Sequence, residues 1–444
     1  PETSASTNSA TWAFRKAEDH IKKNNSTQAG LLEEFKGVVE GHRDGHGFVM
    51  RDDGQTNVYL PPNEMRAVLH KDIVIARVTR LDKKGRPEGR ILEITQRPAH
   101  PIIGRLLHES GVWLVAPEDR RYGQDILIPK TATGKALPGQ VVVVELTEPP
   151  SLYGQPVGRV QEVLGEMDDP GMEIEIAVRK YSVPHVFSPA CLKQAESLPD
   201  LVSAKDFPHR VDLTDIPLVT IDGEDAKDFD DAVYCEPLKI DGEDGWRLLV
   251  AIADVSHYVE TESPIDIDAY DRATSVYFPR RVIPMLPEKL SNGLCSLKPD
   301  VDRLCMVCDM TVSANGEVFA YQFYEAVMHS HARLTYTDAA AILSNTRGPQ
   351  AQKYKAIVND LIHLHDAYRA LLKARQKRGA VDFETTETQI ICDENGRIEK
   401  IVPRTRTEAH RLIEESMLAA NVCSADFIEQ KKHAAMFRVH EGPT

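Results

Sequence analysis

The sequence predicts a multidomain fold: two tandem all-β barrels followed by a mixed α+β domain. Three observations lead there. A block of short apolar strands broken by turns occurs twice between residues 31 and 165. Strand and helix signals alternate from about residue 216 onward. The 444 residues exceed what one hydrophobic core accommodates, so two to four domains are expected.

Composition narrows the class. The 42% hydrophobic and 27% charged fractions are those of a soluble globular chain. No stretch approaches the ~18 uncharged apolar residues of a membrane span. Residues 1–10 are small and polar and lack the apolar core of a signal peptide. The chain starts with proline rather than methionine, which suggests a processed or trimmed product. Seven scattered cysteines without a framework argue for reduced thiols and a cytoplasmic location. Cys305 and Cys308 form a C-x-x-C, but inside the strand-like run LCMVCDM, and buried free thiols explain it better than zinc or redox chemistry. A net charge of −15 does not suggest a generic polyanion binder, although an acidic total can hide a local basic channel.

In chain order, residues 1–30 read as a Ser/Thr-rich arm with a short amphipathic helix candidate around Trp12 to Lys23. Residues 31–97 and 98–165 form the repeat. Gly37 matches Gly104 and Ile73 matches Val141, a period of 67 to 68 residues. Each unit has alternating strands broken by Gly and Asp turns, a Pro-bounded loop and a further strand, the pattern of a five-stranded barrel. Phe48 in G-H-G-F-V and Tyr59 in N-V-Y-L resemble the aromatic nucleic-acid face of cold-shock domains, a resemblance that places them on neighbouring strands of one face suited to stacking bases, although a turn glycine beside a core phenylalanine explains the motif equally well. Residues 166–215 read as a proline-bearing connector with a modest helix near Pro189 to Ala204.

Residues 216–444 mix the two element types. Asn315-Gly316 and Asn395-Gly396 signal hairpins. Apolar residues recur at helical spacing from Tyr354 to Leu372, with Gly379 as a stop, and a second long helix covers roughly Glu408 to Lys431. A strand-like run, AAMFRVH, precedes the end of the chain.

The chemistry concentrates at one place. Between Asp222 and Asp231 stand six carboxylates and one lysine, a local net of −5. Asp222 ends an apolar strand, Gly223 lets the chain turn, and Asp228, Asp230 and Asp231 follow within four residues. Such crowding is costly unless a cation sits between the carboxylates. Mg²⁺ needs one or two carboxylates per ion, and two ions about 4 Å apart activate water and stabilise the leaving oxygen of a phosphodiester. An acidic surface loop is the plainer alternative. A helix-loop-helix calcium loop is excluded by the missing D-x-D-x-D-G spacing and its glutamate.

IDGEDAKDFDDAV resembles the signature of the ribonuclease II/ribonuclease R (RNB) family. VAIADVSHYV, the block from TSVYFP to MVCDM, SHARLTYT and HRLIEESMLAAN resemble further blocks of that family's catalytic domain, in its order, and the long block is closer to the ribonuclease R branch. The resemblance spans residues 31–444. It implies two OB-fold (cold-shock) barrels and an RNB catalytic domain over 216–444. It further implies a Mg²⁺-dependent hydrolase of the exoribonuclease II type; a monomer is expected, although oligomeric state leaves no readable mark in the sequence. Such an enzyme works processively 3′→5′ on single-stranded RNA, with structured RNA also in reach, and releases nucleoside 5′-monophosphates. By the same resemblance Asp222, Asp228 and Asp231 are metal ligands, and Asp230 is the residue most critical for cleavage, through metal binding or positioning of water. Tyr277 in SVYFP and Phe383 in AVDFET resemble an aromatic clamp. Tyr336 and Glu415, preferred over Glu414, resemble contacts to the sugar edge or terminal bases, and Arg280 and Arg281 could meet phosphates. The second barrel keeps Trp113 but no G-F-G-F element. The family's S-P-I-R-R-Y block and S1-type barrel are not found in this sequence, so the expectation is a catalytic domain incomplete at its C-terminus, in a chain not fully active alone. A non-catalytic RNA-binding regulator is the alternative, and a metal-dependent phosphatase or endonuclease a third.

Overall fold

The fold was analysed in a computed structural model, which describes residues 34–83, 85–98, 101–380 and 387–439. The arm expected over residues 1–30 lies outside them. The chain divides into two compact units, meeting between Val183 and Pro184.

The first unit contains both barrels. Strands β1 (Glu34–Gly41), β2 (Gly47–Arg51), β3 (Val58–Leu60), β4 (Ile73–Leu81) and β5 (Pro87–Gln96) close in the order β1-β2-β3-β5-β4. Strands β6 (Ile102–Glu109), β7 (Val112–Pro117), β8 (Ile126–Leu127), β9 (Gln140–Glu148) and β10 (Val157–Glu166) close in the equivalent order. Alternate residues fill each interior, among them Val39, Val49, Val58 and Leu60 in the first and Leu106, Val115, Val142 and Val144 in the second. The repeat glycines have a shared steric reason. A Cβ on Gly37 would lie 2.2 Å from the Met50 carbonyl oxygen, and one on Gly104 would lie 2.4 Å from that of Ala116. Only glycine allows the first strand of each barrel to bend this closely over the second.

Residues 166–215 are not a single connector. Helix α1 (Met172–Lys180) packs Met172 and Ile176 against Ile103, Val141 and Val143 outside the second barrel, so it belongs to the first unit. Helix α2 (Pro189–Ser197) belongs to the second unit and is shorter than the stretch to Ala204 expected from sequence. It is capped by Ser188, whose side chain accepts from the Cys191 N–H, and it stops at Leu198 in extended conformation.

The second unit is built on a seven-stranded sheet. Its strands are β11 (Val211–Asp212), β12 (Val219–Asp222), β13 (Asp231–Ile240), β14 (Glu243–Ala253), β17 (Arg303–Ser313), β18 (Val318–Met328) and β19 (Ala332–Thr335), in the order β11-β18-β17-β14-β13-β12-β19. Helix α3 (Pro264–Arg272) and the hairpin β15 (Val276–Phe278)–β16 (Arg281–Ile283) stand between β14 and β17 in sequence. Leu248, Leu249, Val250 and Ala251 are all fully buried because both faces of β14 are covered. Leu248 and Val250 pack with α4 (Tyr336–Ser344), α6 (Val358–Lys377) and α7 (Glu408–Gln430), with α5 (Pro349–Lys353) alongside. Leu249 and Ala251 pack with α2, α3 and the segment around Leu290 to Leu297.

The same alternation separates the C-x-x-C pair: Cys305 faces one core and Cys308 the other, and all seven cysteines are free thiols. Hairpin β20 (Glu387–Cys392)–β21 (Ile398–Arg404) turns at Asn395-Gly396 as expected. The strand expected at AAMFRVH does not form. Residues 433–439 take no regular structure, with Met436, Phe437 and Val439 exposed and no strand beside them among the described residues. No helix among the described residues is long and apolar enough to cross a membrane.

Candidate active site

The aspartates gather because two central strands end together. β12 runs parallel to β19, with Asp222 opposite Thr335, and antiparallel to β13, whose first residue is Asp231. The loop between β12 and β13 therefore returns over the strand end and carries Asp228 and Asp230 back beside Asp222.

Residues far away in sequence shape this loop. Ser296 is fully buried; its hydroxyl donates to the Lys227 carbonyl (2.7 Å) and accepts from the Phe229 N–H (3.1 Å). The Leu297 N–H donates to the Phe229 carbonyl (2.8 Å). Arg333 on β19 donates to the carbonyls of Gly223 (2.8 Å) and Glu224 (2.6 Å) and lies over the Phe229 ring. The Thr337 hydroxyl donates to the Glu224 carboxylate at 2.6 Å. The turn does not depend on Gly223 as the sequence suggested: that residue has no left-handed φ and open space where a Cβ would stand. Arg333 and the Asp222 side chain, which accepts the Gly223 N–H at 2.7 Å, set the turn instead.

Electrostatics follow from this packing. Burial pushes the Asp231 carboxyl up to about 6, helped by the charges of Asp222 and Asp230. The surrounding protein, with Asp228 and Asp222, pushes Asp230 up to about 6 as well. Asp222 is raised by burial and by Asp228, against the Gly223 N–H and the positive charges of Arg333 and Arg404. One Asp231 oxygen, Oδ2, is buried with no hydrogen-bond donor among the described residues. A buried carboxylate oxygen without a donor, facing two further carboxylates, fits a bound cation. The all-oxygen donor set suits a hard ion such as Mg²⁺.

The other expected site residues are placed as follows. Tyr277 stands on β15, largely exposed, and its hydroxyl donates to Asp228 Oδ2 at 2.7 Å. Although most of the ring is exposed, partial desolvation at the hydroxyl, then this bond and the charges of Asp228 and Asp230, push the phenol up to about 12. Tyr336 opens α4, stacks on His410 (3.9 Å between centroids) and is pushed up to about 12 by burial and by Asp222 and Asp231. Arg280 sits in the β15–β16 turn and donates to the Asp393 carbonyl at 2.8 Å; Arg281 follows on β16. Glu415 is only 4% exposed and pairs with Arg375 at 2.8 Å, while Glu414, the more exposed neighbour, pairs with Arg406. The charge of Glu415 is thus already matched inside the helical layer. Phe383 lies outside the described residues.

In the first barrel, Phe48 and Tyr59 are register partners on β2 and β3, with ring centroids 5.8 Å apart. In the second, Trp113 stacks on His108 at 4.3 Å.

Sequence reasoning missed Ser296, Arg333 and Arg404. The last lies on β21, and its charge bears on Asp222, Tyr336 and His410. Ser296 and Arg333 stood inside family-like blocks, but nothing in their spacing distinguished them.

Comparison with known proteins agrees with this architecture. The RNB domain family model matches residues 210–444, the Ribonuclease B OB domain residues 37–94, and the Cold shock domain residues 114–188. Ribonuclease R of Vibrio cholerae is 49% identical over 416 residues, which are 93% of this chain and 50% of that protein. Ribonuclease R of Acidithiobacillus ferrooxidans is 45% identical over 354 residues, 79% of this chain and 80% of that protein. The chain spans about half the length of the first of these relatives. Among solved structures, Mycoplasma genitalium RNase R in complex with ribose methylated single-stranded RNA superposes with a TM-score of 0.82 at 27% identity, covering 92% of this chain and 64% of that one. Yeast Ssd1, a pseudonuclease, shares the fold, with a TM-score of 0.60 at 16% identity, covering 91% of this chain and 56% of that one. With two barrels, the seven-stranded sheet and a family match over more than half of its 444 residues, the chain belongs to the ribonuclease II/ribonuclease R (RNB) family.

Proposed function

We propose that the protein is a Mg²⁺-dependent exoribonuclease that degrades single-stranded RNA processively from the 3′ end to nucleoside 5′-monophosphates. The observation that carries the proposal is the carboxylate quartet. Two of its members are pushed up to about 6, and one of its oxygens is buried without a donor. Fold alone would not carry it, because a pseudonuclease shares the architecture. Asp222, Asp228, Asp230 and Asp231 would hold the ions. Bound Mg²⁺ supplies Lewis acidity and lowers the pKa of water at a phosphodiester, and a pair of ions divides these tasks.

The chain's own groups do the rest. Ser296 and Arg333 fix the loop, so the carboxylates are in place before substrate arrives. Tyr277 orients Asp228 through its hydroxyl and leaves an exposed ring face for a base near the scissile bond. Tyr336, held flat by His410, stands beside Asp222, where it can meet a sugar edge. Phe48 and Tyr59 offer a sequence-tolerant stacking face in the first barrel. RNA binding is written in the description of the Mycoplasma genitalium relative, and the same substrate class is proposed here.

The test is a gel assay on 5′-labelled single-stranded RNA with Mg²⁺, using the protein at its natural length. Stepwise shortening to a very short 5′ end product, lost in Asp230→Asn and with chelator, is expected. Binding without shortening would favour a regulator, and internal cuts an endonuclease.

A further inference from the structure

The turn between β1 and β2 gathers three metal-type ligands that the proposed nuclease chemistry does not use. His42, Asp44 and His46 occur in the run H-R-D-G-H, and one donor atom from each lies within 4.8 Å of the other two. The backbone fixes this arrangement. The His42 N–H donates to the His46 carbonyl at 2.7 Å, the Gly45 N–H donates to the His42 carbonyl at 2.9 Å, and Gly45 takes a φ of 84°. The tight turn projects both imidazoles to one side, where they stack with centroids 4.2 Å apart and 20° between planes.

Asp44 bends back toward them. Its Oδ2 lies 3.4 Å from His42 Nδ1, and its N–H donates to the same nitrogen at 3.3 Å, a long bond that a metal ion on this lone pair would displace. Two ligands of a tetrahedral Zn²⁺ at ~2.0–2.1 Å from the metal stand ~3.3–3.4 Å apart. The Nδ1–Oδ2 spacing therefore already matches one edge of such a polyhedron, and the site closes when the ion takes the Nδ1 lone pair from the Asp44 N–H and His46 turns its part-exposed ring. Arg43 opposes this weakly, with Nε 3.9 Å from the other Asp44 oxygen.

We propose that His42, Asp44 and His46 form a binding site for a borderline divalent transition metal, Zn²⁺ foremost, with the fourth position open. Two imidazoles and one carboxylate select Zn²⁺, Ni²⁺ or Cu²⁺ over Mg²⁺, the reverse of the all-oxygen aspartate quartet. The site stands at the edge of the first barrel's aromatic face, because the His46 ring lies 5.8 Å from Phe48 and 5.5 Å from Tyr59. The proposal holds whether or not that face binds RNA.

The experiment is calorimetric titration of the whole protein with Zn²⁺ in excess Mg²⁺, which keeps the quartet filled. The same titration with Co²⁺ is followed by visible absorption. About one micromolar Zn²⁺ site and a tetrahedral-type Co²⁺ spectrum are expected. His42→Asn and His46→Asn should each weaken binding at least about tenfold, and Asp44→Asn, a change at an exposed side chain that the fold does not need, should also weaken it. Unchanged melting temperatures would show that the variants fold. Absence of Zn²⁺ binding below millimolar concentration would overturn the proposal. So would equal Zn²⁺ uptake by a His42→Asn/His46→Asn double variant, which would place the metal on other histidines.

Discussion

Without metal, the aspartate quartet opposes its own fold, and Asp231→Asn measures by how much. The Asp231 carboxyl titrates near 6 in the folded chain, against an ordinary value of 3.8. A raised acid holds its proton in the folded state over a range where the unfolded chain has already released it. Stability is therefore fully retained below pH ~4, falls as pH rises through ~6, and is lowest above that. At 1.36 kcal/mol per unit the cost is about 3 kcal/mol at pH 8. Because Asp222, Asp230 and Asp231 titrate together, we expect about 2 kcal/mol of it to be recovered by Asp231→Asn. The assay is urea unfolding in chelator between pH 4 and 8, read by Trp246 on β14 in a Trp12→Phe/Trp113→Phe background. Wild type should lose stability with rising pH, Asp231→Asn should lose about 2 kcal/mol less while keeping the slope that Asp230 contributes, and saturating Mg²⁺ should flatten wild type. Parallel pH profiles of the two proteins in chelator would refute the electrostatic account.

Other expectations follow from single contacts. Ser296→Ala leaves the Phe229 N–H and Lys227 carbonyl without their buried partner, and should cost about 2–4 kcal/mol of stability. It should also weaken Mg²⁺ binding about 10- to 100-fold in calorimetry. Tyr277→Phe keeps the exposed ring and should bind single-stranded RNA in chelator within about twofold of wild type, whereas Tyr277→Ala should lose about 1–3 kcal/mol, read by filter binding. Six of the seven cysteines are buried and only Cys392 is partly exposed, so thiol titration of the native protein should find one fast group. Rapid reaction of a Cys305/Cys308 pair would contradict their placement on opposite sheet faces.

What the sequence revealed depended on whether a feature was contiguous. The barrels were legible because turn glycines and alternating strands recur, and Gly37 and Gly104 are fixed by the same close approach of backbones. The quartet was legible because all four carboxylates lie within ten residues. The groups that shape it were not, since Ser296 and Arg333 meet the loop from 67 to 110 residues away. Helix α1 was missed for a local reason. Met172, Ile174, Ile176 and Val178 alternate with period two, and its N-terminal Gly171 offers no side-chain cap. The apolar run at Met436 to Val439 misled in the opposite direction, because its strand-like composition meets no neighbouring strand among the described residues. For Glu415, helical spacing could not say which of two adjacent glutamates turns inward; Arg375 decides it.

The central claim is that Asp222, Asp228, Asp230 and Asp231 form a divalent-cation site. Calorimetric titration of the metal-free protein with Mg²⁺ tests it most directly, with wild type beside Asp222→Asn/Asp231→Asn. The account predicts binding in wild type that the double variant has lost while its fold persists. Equal Mg²⁺ uptake by both proteins, or none by either, would contradict it.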